Sequence, residues 1–174
     1  MSTSTTGDTP RTARNETTIE ASKEVPTITI VREFDAPRAL VWRAWTEPDL
    51  VARWMGPRDI GMEITTWELR RGGSWAYTAR GDDSRADFTT TFYGSFHDVR
   101  EPERLVQTFT WEGEPDGVSL ETLTLEELPG GRTRTVARSV VESFEIRDMI
   151  LASGMDTGVV QGYEQLDELL TTLG

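Results

Sequence analysis

The chain has 174 residues, no cysteine, one histidine (His97) and a formal net charge of −12. This composition excludes disulfides, thiol catalysis, Cys-based metal sites and multi-His zinc sites, and it leaves Ser-His-Asp chemistry a single base. The negative charge disfavours phosphate backbones and anionic membranes.

Nucleic acid and membrane are therefore not expected as partners. No apolar run approaches the ~20 residues of a membrane span, and the N-terminus lacks an apolar leader, so the expected location is the cytoplasm. Lys23 is the single lysine among 18 basic residues. Lysine codons are AT-rich and arginine codons GC-rich, which points to a high-GC bacterial genome. No motif calls for a cofactor or a metal.

Residues 1–25 are dense in Thr, Ser and Glu and lack aromatics. Such a segment buries too little apolar area to offset its ordering entropy, so it is expected to be a disordered tail, with one domain over 26–174. Thr27 to Phe34 is β-branched and alternating, a first strand. Asp35-Ala36-Pro37 reads as a helix start. Ala39 to Trp45 follows as one short helix, and Thr46-Glu47-Pro48 starts a second with Leu50, Val51, Trp54 and Met55 apolar. Gly56-Pro57 ends it.

Six strands are expected next: Met62–Leu69, Ser74–Arg80, Phe88–Val99, Arg104–Glu112, Leu120–Leu128 and Arg132–Val141. Glycine- and acid-rich turns separate them. Gly94 marks a bulge or a close approach. One long helix is expected over about 146–173, with Leu151, Met155, Val159, Leu166, Leu170 and Leu173 on one third of the wheel. Gly154, Gly158 and Gly162 lie on the edge of that face, as packing positions, a kink, or space kept for a guest.

The fold class that follows is α+β: a curved antiparallel sheet wrapped around a long C-terminal helix, with two short helices after the first strand. Large rings recur on alternating positions of the strands, which places them on one face. The candidate lining is Trp42, Trp54, Trp67, Trp75, Tyr77, Phe92, Phe96, Phe109, Trp111 and Tyr163, with Met155 and Val159 of the last helix. Each ring can equally fill the core; together they suit a flat guest. His97 points outward if Phe96 points inward. Arg104 reads as a structural ion pair with Glu101 or Glu103. Gln107, Thr90, Arg138 and Glu142 are polar groups that an inward-facing position would make ligand handles or tuned acids.

Several blocks occur in order. They are Phe34-Asp35-Ala36-Pro37, Val41-Trp42-Arg43-Ala44-Trp45-Thr46-Glu47-Pro48, Arg53-Trp54-Met55-Gly56-Pro57, Gly72-Gly73-Ser74-Trp75, Pro102-Glu103-Arg104-Leu105-Val106 and Ala152-Ser153-Gly154-Met155. Over about residues 27–173 the set resembles the START-like, helix-grip (birch-pollen-allergen-like) superfamily. The nearest branch is the one named for the activator of the heat-shock chaperone ATPase. The resemblance implies a deep cavity between sheet and long helix that holds lipids, polyketides or other hydrophobic molecules. It carries no catalytic set over to this chain. It also places the chain beside polyketide cyclases and antibiotic self-resistance proteins. In some of these a radical-generating product cleaves the protein at glycine, which makes Gly113, Gly117, Gly154 and Gly158 candidate cleavage-prone positions.

The expected function is the binding of a hydrophobic, aromatic or polyketide-type small molecule, for natural-product sequestration or self-resistance. Two other readings stand beside it. One is a cyclase or aromatase-type enzyme. The other is a chaperone-ATPase-activating module, which 25 residues outside the domain do not support with a separate chaperone-binding unit. A homodimer is left open.

Overall fold

A computed structural model describes residues 15–174. Eight strands form one antiparallel sheet in the order β1-β2-β8-β7-β6-β5-β4-β3. They are β1 Thr18–Ala21, β2 Thr27–Phe34, β3 Ile60–Trp67, β4 Ser74–Gly81, β5 Thr89–Arg100, β6 Arg104–Trp111, β7 Ser119–Leu128 and β8 Arg132–Val140. Two short helices, α1 Arg38–Thr46 and α2 Pro48–Trp54, link β2 to β3, and α3 Phe144–Ala152 and α4 Met155–Leu173 close the chain. This is the helix-grip arrangement expected from the sequence.

Strand β2 shows why the alternation was legible. Ile28, Ile30, Arg32 and Phe34 are buried while Thr29, Val31 and Glu33 are partly exposed. The buried set points at α4, where Leu166, Leu169 and Leu170 join the same core. Arg32 is only 5 % exposed, and its guanidinium donates to both carboxylate oxygens of Asp167 at 3.1 and 2.5 Å. That fork ties the sheet to the helix in the geometry that makes such pairs specific. Pro37 is the residue before α1, one step earlier than a first-turn position, and Pro48 opens α2.

Two expectations are corrected. The first concerns residues 15–25, expected to be disordered. Thr18–Ala21 pairs with β2, Ile19 lying opposite Ile30. The open edge of β2 offers unpaired backbone groups, and a strand docking there needs little apolar surface of its own. Residues 1–14 lie outside the described residues. The second concerns the last helix, which is two. Gly154 adopts φ 83°, ψ 19°, a left-handed conformation open to glycine at little cost, and it separates α3 from α4. Helix α3 also starts earlier than expected, because the Ser143 hydroxyl accepts a hydrogen bond from the Ile146 N–H at 3.2 Å.

The glycine steps on α4 face the connection that follows α2. Gly158 lies against Pro57, and Gly162 lies against the backbone of Trp54 and Gly56. The bulge in β5 falls between Phe96 and Asp98, around His97, rather than at Gly94. Gly94 is instead a close approach: a Cβ there would sit 2.0 Å from the Thr108 carbonyl oxygen.

Candidate ligand-binding site

The inner face of the sheet carries a continuous ladder of rings. Trp75 stacks on Tyr77 with centroids 5.8 Å apart, and Tyr77 meets Phe92 at 5.2 Å. Phe92 meets Phe109 at 5.2 Å, and Phe109 returns to Trp75 at 5.5 Å. The ladder forms because alternate residues of β4, β5 and β6 share a face and because Tyr77 and Phe92 are direct register partners. Trp75 is buried, but Tyr77, Phe92 and Phe109 keep partial exposure within the sheet. Ile150 and Leu151 of α3 and Met155 and Val159 of α4 pack against the same apolar cluster and are likewise only partly buried. This partly accessible ring surface, beside the side chains of α3 and α4 that pack against the same cluster, is the candidate recess.

A row of polar side chains crosses that face. Gln107 of β6 pairs with Glu121 of β7, and Glu121 pairs with Ser139 of β8. The Ser139 hydroxyl donates to Glu121 Oε2 at 2.5 Å. Burial pushes the Glu121 carboxyl up to about 7, and the Ser139 hydrogen bond opposes only part of that rise. The Glu121 side chain is partly buried, on the same face as the buried Leu123 and Leu125. Tyr163 of α4 lies close enough to feel its charge. Burial raises the hydroxyls of Tyr77 and Tyr163 well above the ordinary tyrosine range. Among the described residues, the Gln107 amide and these two hydroxyls have no protein hydrogen-bond partner, and neither does the buried indole N–H of Trp45. Of these, only the Trp45 N–H is fully buried; the Gln107 amide and the two hydroxyls are open to a guest or to water.

The remaining candidates separate into those that fill and those that face. Trp42, Trp54 and Phe96 are 3 %, 3 % and 1 % exposed and sit in the core. The Trp54 indole donates to the Ala44 carbonyl at 2.8 Å, and Trp67 donates to the Thr46 carbonyl at 2.8 Å while packing edge-on against Phe96. Tyr163 closes a second ring group with Phe34, Trp45 and Trp54. Trp111 shares the face of Phe92 but ends its strand 47 % exposed, its indole donating to Thr90 at 2.6 Å. Thr90 is thereby engaged, and His97, Arg138 and Glu142 are exposed.

Gly113 and Gly117 fall in the loop between β6 and β7, whereas Gly154 breaks the helix and Gly158 lies within α4. A separate cleft of ≈ 530 Å³ opens where α3 meets α4, lined by Pro57, Arg58, Arg85, Gly154, Met155 and Gly158 among others. Its cations are spent: Arg58 pairs with Glu164 and Glu168, and Arg85 with Asp59. This cleft shares Met155 with the side chains that pack beside the ring ladder. Arg104 bonds neither Glu101 nor Glu103. It shares buried Asp98 with Arg71 and Arg100, which reach the same carboxylate at 3.1 and 2.8 Å.

Sequence reasoning missed Glu121. Its signal was present: Leu123 and Leu125 are the buried positions of β7, and stepping back by two from Leu123 reaches Glu121 on the same face.

Comparison with known proteins agrees with this architecture. A protein from Rhodobacter sphaeroides superposes with a TM-score of 0.79 at 27 % identity, covering 91 % of this chain and 100 % of its own. A protein from Arthrobacter aurescens gives 0.80 at 30 % identity, covering 89 % and 91 %. CalU16 from Micromonospora echinospora, at 21 % identity and a TM-score of 0.58 over 89 % and 85 %, shares the fold alone. No curated protein matches significantly. The family model described as activator of Hsp90 ATPase homolog 1-like protein matches residues 35–171. With its eight-stranded sheet, grip helix and ordered sequence blocks, the chain belongs to that family, within the START-like superfamily.

Proposed function

We propose that this protein binds a hydrophobic small molecule with an aromatic body, on the ring ladder beneath α3 and α4, and holds it without turning it over. The observation that carries this reading is the coincidence of two features on one face. Tyr77, Phe92 and Phe109 present partly accessible ring surface around the buried Trp75, and Gln107, Tyr77 and Tyr163 keep polar atoms without partners among the described residues on the same face. An apolar wall with a few convergent polar groups is the usual make-up of a small-molecule site. Sequestration of a natural product, or resistance to it, is the role this binding would serve in a high-GC bacterium.

A second reading is an enzyme of the cyclase or aromatase type. Glu121 favours it, because a carboxyl that titrates near neutrality can act as acid and as base. Incubation of the protein with polyketide-type aromatics, followed by mass analysis of guest and protein, separates the two. Recovery of the intact guest in stoichiometric complex supports the binding protein. A changed guest in excess over protein supports the enzyme. A protein cleaved at Gly113, Gly117, Gly154 or Gly158 identifies a sacrificial resistance protein.

A further inference from the structure

Building on that ligand-binding reading, we propose that Glu121 is the specificity-determining residue of the recess and that the guest it selects carries a protonated amine on its aromatic body.

The geometry gives Glu121 a position that no structural role explains. It lies on the inner face of β7, between Gln107 and Ser139 in the same cross-strand row, with the ring ladder on one side and Tyr163 of α4 above. Structural carboxylates in this chain are handled differently. Asp98 is held by three arginines, Glu33 by Arg132 and Arg134, and Asp167 by Arg32. Glu121 receives one hydroxyl hydrogen bond and no compensating charge.

The groups facing Glu121 sharpen the point. From β6 comes an amide, Gln107; from β8 a hydroxyl, Ser139; from α4 a phenol, Tyr163. Arg32 of β2 is a cation whose charge acts on Tyr163, and that charge is already met by Asp167. A desolvated carboxylate without a countercharge is costly, and a cation brought into contact with it recovers that cost.

A bound ammonium would find further partners. Gln107 and Tyr163 each offer an oxygen acceptor, and among the described residues neither is used by the protein. The partly exposed faces of Tyr77, Phe92 and Phe109 attract cations through their ring quadrupoles. The net charge of −12 raises the local concentration of cations and lowers that of anions. A carboxylate guest such as a fatty acid meets the opposite situation at every one of these points.

Three naphthalene probes with one ring body test this: 2-naphthylmethylamine, 2-naphthalenemethanol and 2-naphthoate. Their affinities are read by quenching of tryptophan fluorescence in the wild-type chain and in Glu121→Gln. At pH 8 the amine is expected to bind wild type at least ~10-fold tighter than the alcohol, and the naphthoate weakest. At pH 5.5, where Glu121 is protonated and the alkylammonium is not titrated, the amine and alcohol converge. In E121Q they converge at both pH values. The wild-type pH series stands without any variant having to fold. Equal binding of amine and alcohol by wild type at both pH values overturns the role of Glu121 and leaves the recess as a binding site. Failure of all three probes to bind overturns the recess together with it.

Discussion

Ser139 donates to Glu121 at 2.5 Å across the β7–β8 pair, and among the described residues that hydroxyl is the one group stabilising the Glu121 carboxylate. The native carboxyl releases its proton near pH 7, whereas an unfolded glutamate does so near 4.5. The folded state binds the proton more tightly, so the stability contributed by the protonated acid is complete below about pH 4.5 and is lost as pH rises to about 7. E121Q is therefore expected to match wild type in urea unfolding at pH 4 and to exceed it at pH 8 by ~1–3 kcal/mol. Equal stability of the two at pH 8 would show that the carboxyl is not desolvated.

Asp98 behaves in the opposite sense. The Arg71 guanidinium hydrogen-bonded to it, with the charges of Arg100 and Arg104, holds its carboxyl below the ordinary aspartate range. Stability from this cluster is present at neutral pH and lost as pH falls below the unfolded aspartate value. Asp98→Asn should lower the urea midpoint at pH 7, and the gap to wild type should close as the medium is acidified toward pH 3. A gap that stays constant over that range contradicts the ion cluster as its source.

The ring ladder and the core make different demands. Phe96 is 1 % exposed, so Phe96→Ala leaves a cavity and is expected to cost ~3–5 kcal/mol. Phe92 is partly exposed within the recess, so Phe92→Ala removes less buried surface and should cost about half as much. Guest affinity should move the other way, falling at least ~10-fold in Phe92→Ala. Calorimetric unfolding and guest titration on the two variants give both numbers. A Phe92 variant as destabilised as the Phe96 one would mean that the ladder is core.

Gly94 sits where the Trp75 indole crosses β5 to donate to the Thr108 carbonyl at 3.2 Å. A methyl group there would lie 2.0 Å from the Thr108 oxygen and 2.8 Å from the indole nitrogen. Gly94→Ala must push the strands apart or displace Trp75, at an expected ~2–4 kcal/mol. A near-UV circular dichroism spectrum altered in the tryptophan region would locate the change at Trp75, and an unaltered spectrum with unchanged stability would refute the close approach.

Much of this architecture was legible in the sequence because its signals are local. Thr27 to Phe34 alternates, Pro48 opens a helix, and Gly72-Gly73 and Gly130-Gly131 turn hairpins. The strand at Thr18–Ala21 was not legible, since its stability comes from the edge of β2 and not from its own composition. The helix break at Gly154 was only one of several meanings for a glycine on a helical face. In the ring ladder, alternation placed Tyr77, Phe92 and Phe109 on one face, as the structure shows, but periodicity reports the face and not the depth. Trp111 obeys the same period and ends exposed, while Phe96 is sealed in the core. Glu121 escaped because its neighbour Leu120, apolar yet outward-facing and 44 % exposed, suggests the opposite register for the start of β7.

The most direct test of the ligand-binding account is an NMR titration of the ¹⁵N,¹³C-labelled chain with 2-naphthalenemethanol, reading intermolecular NOEs from the guest protons. The account predicts NOEs to the rings of Tyr77, Phe92 and Phe109 and to the methyl groups of Met155 and Val159. NOEs confined to the helix-junction cleft at Pro57 and Thr157, or saturating guest with no NOE to the ring ladder, would contradict it.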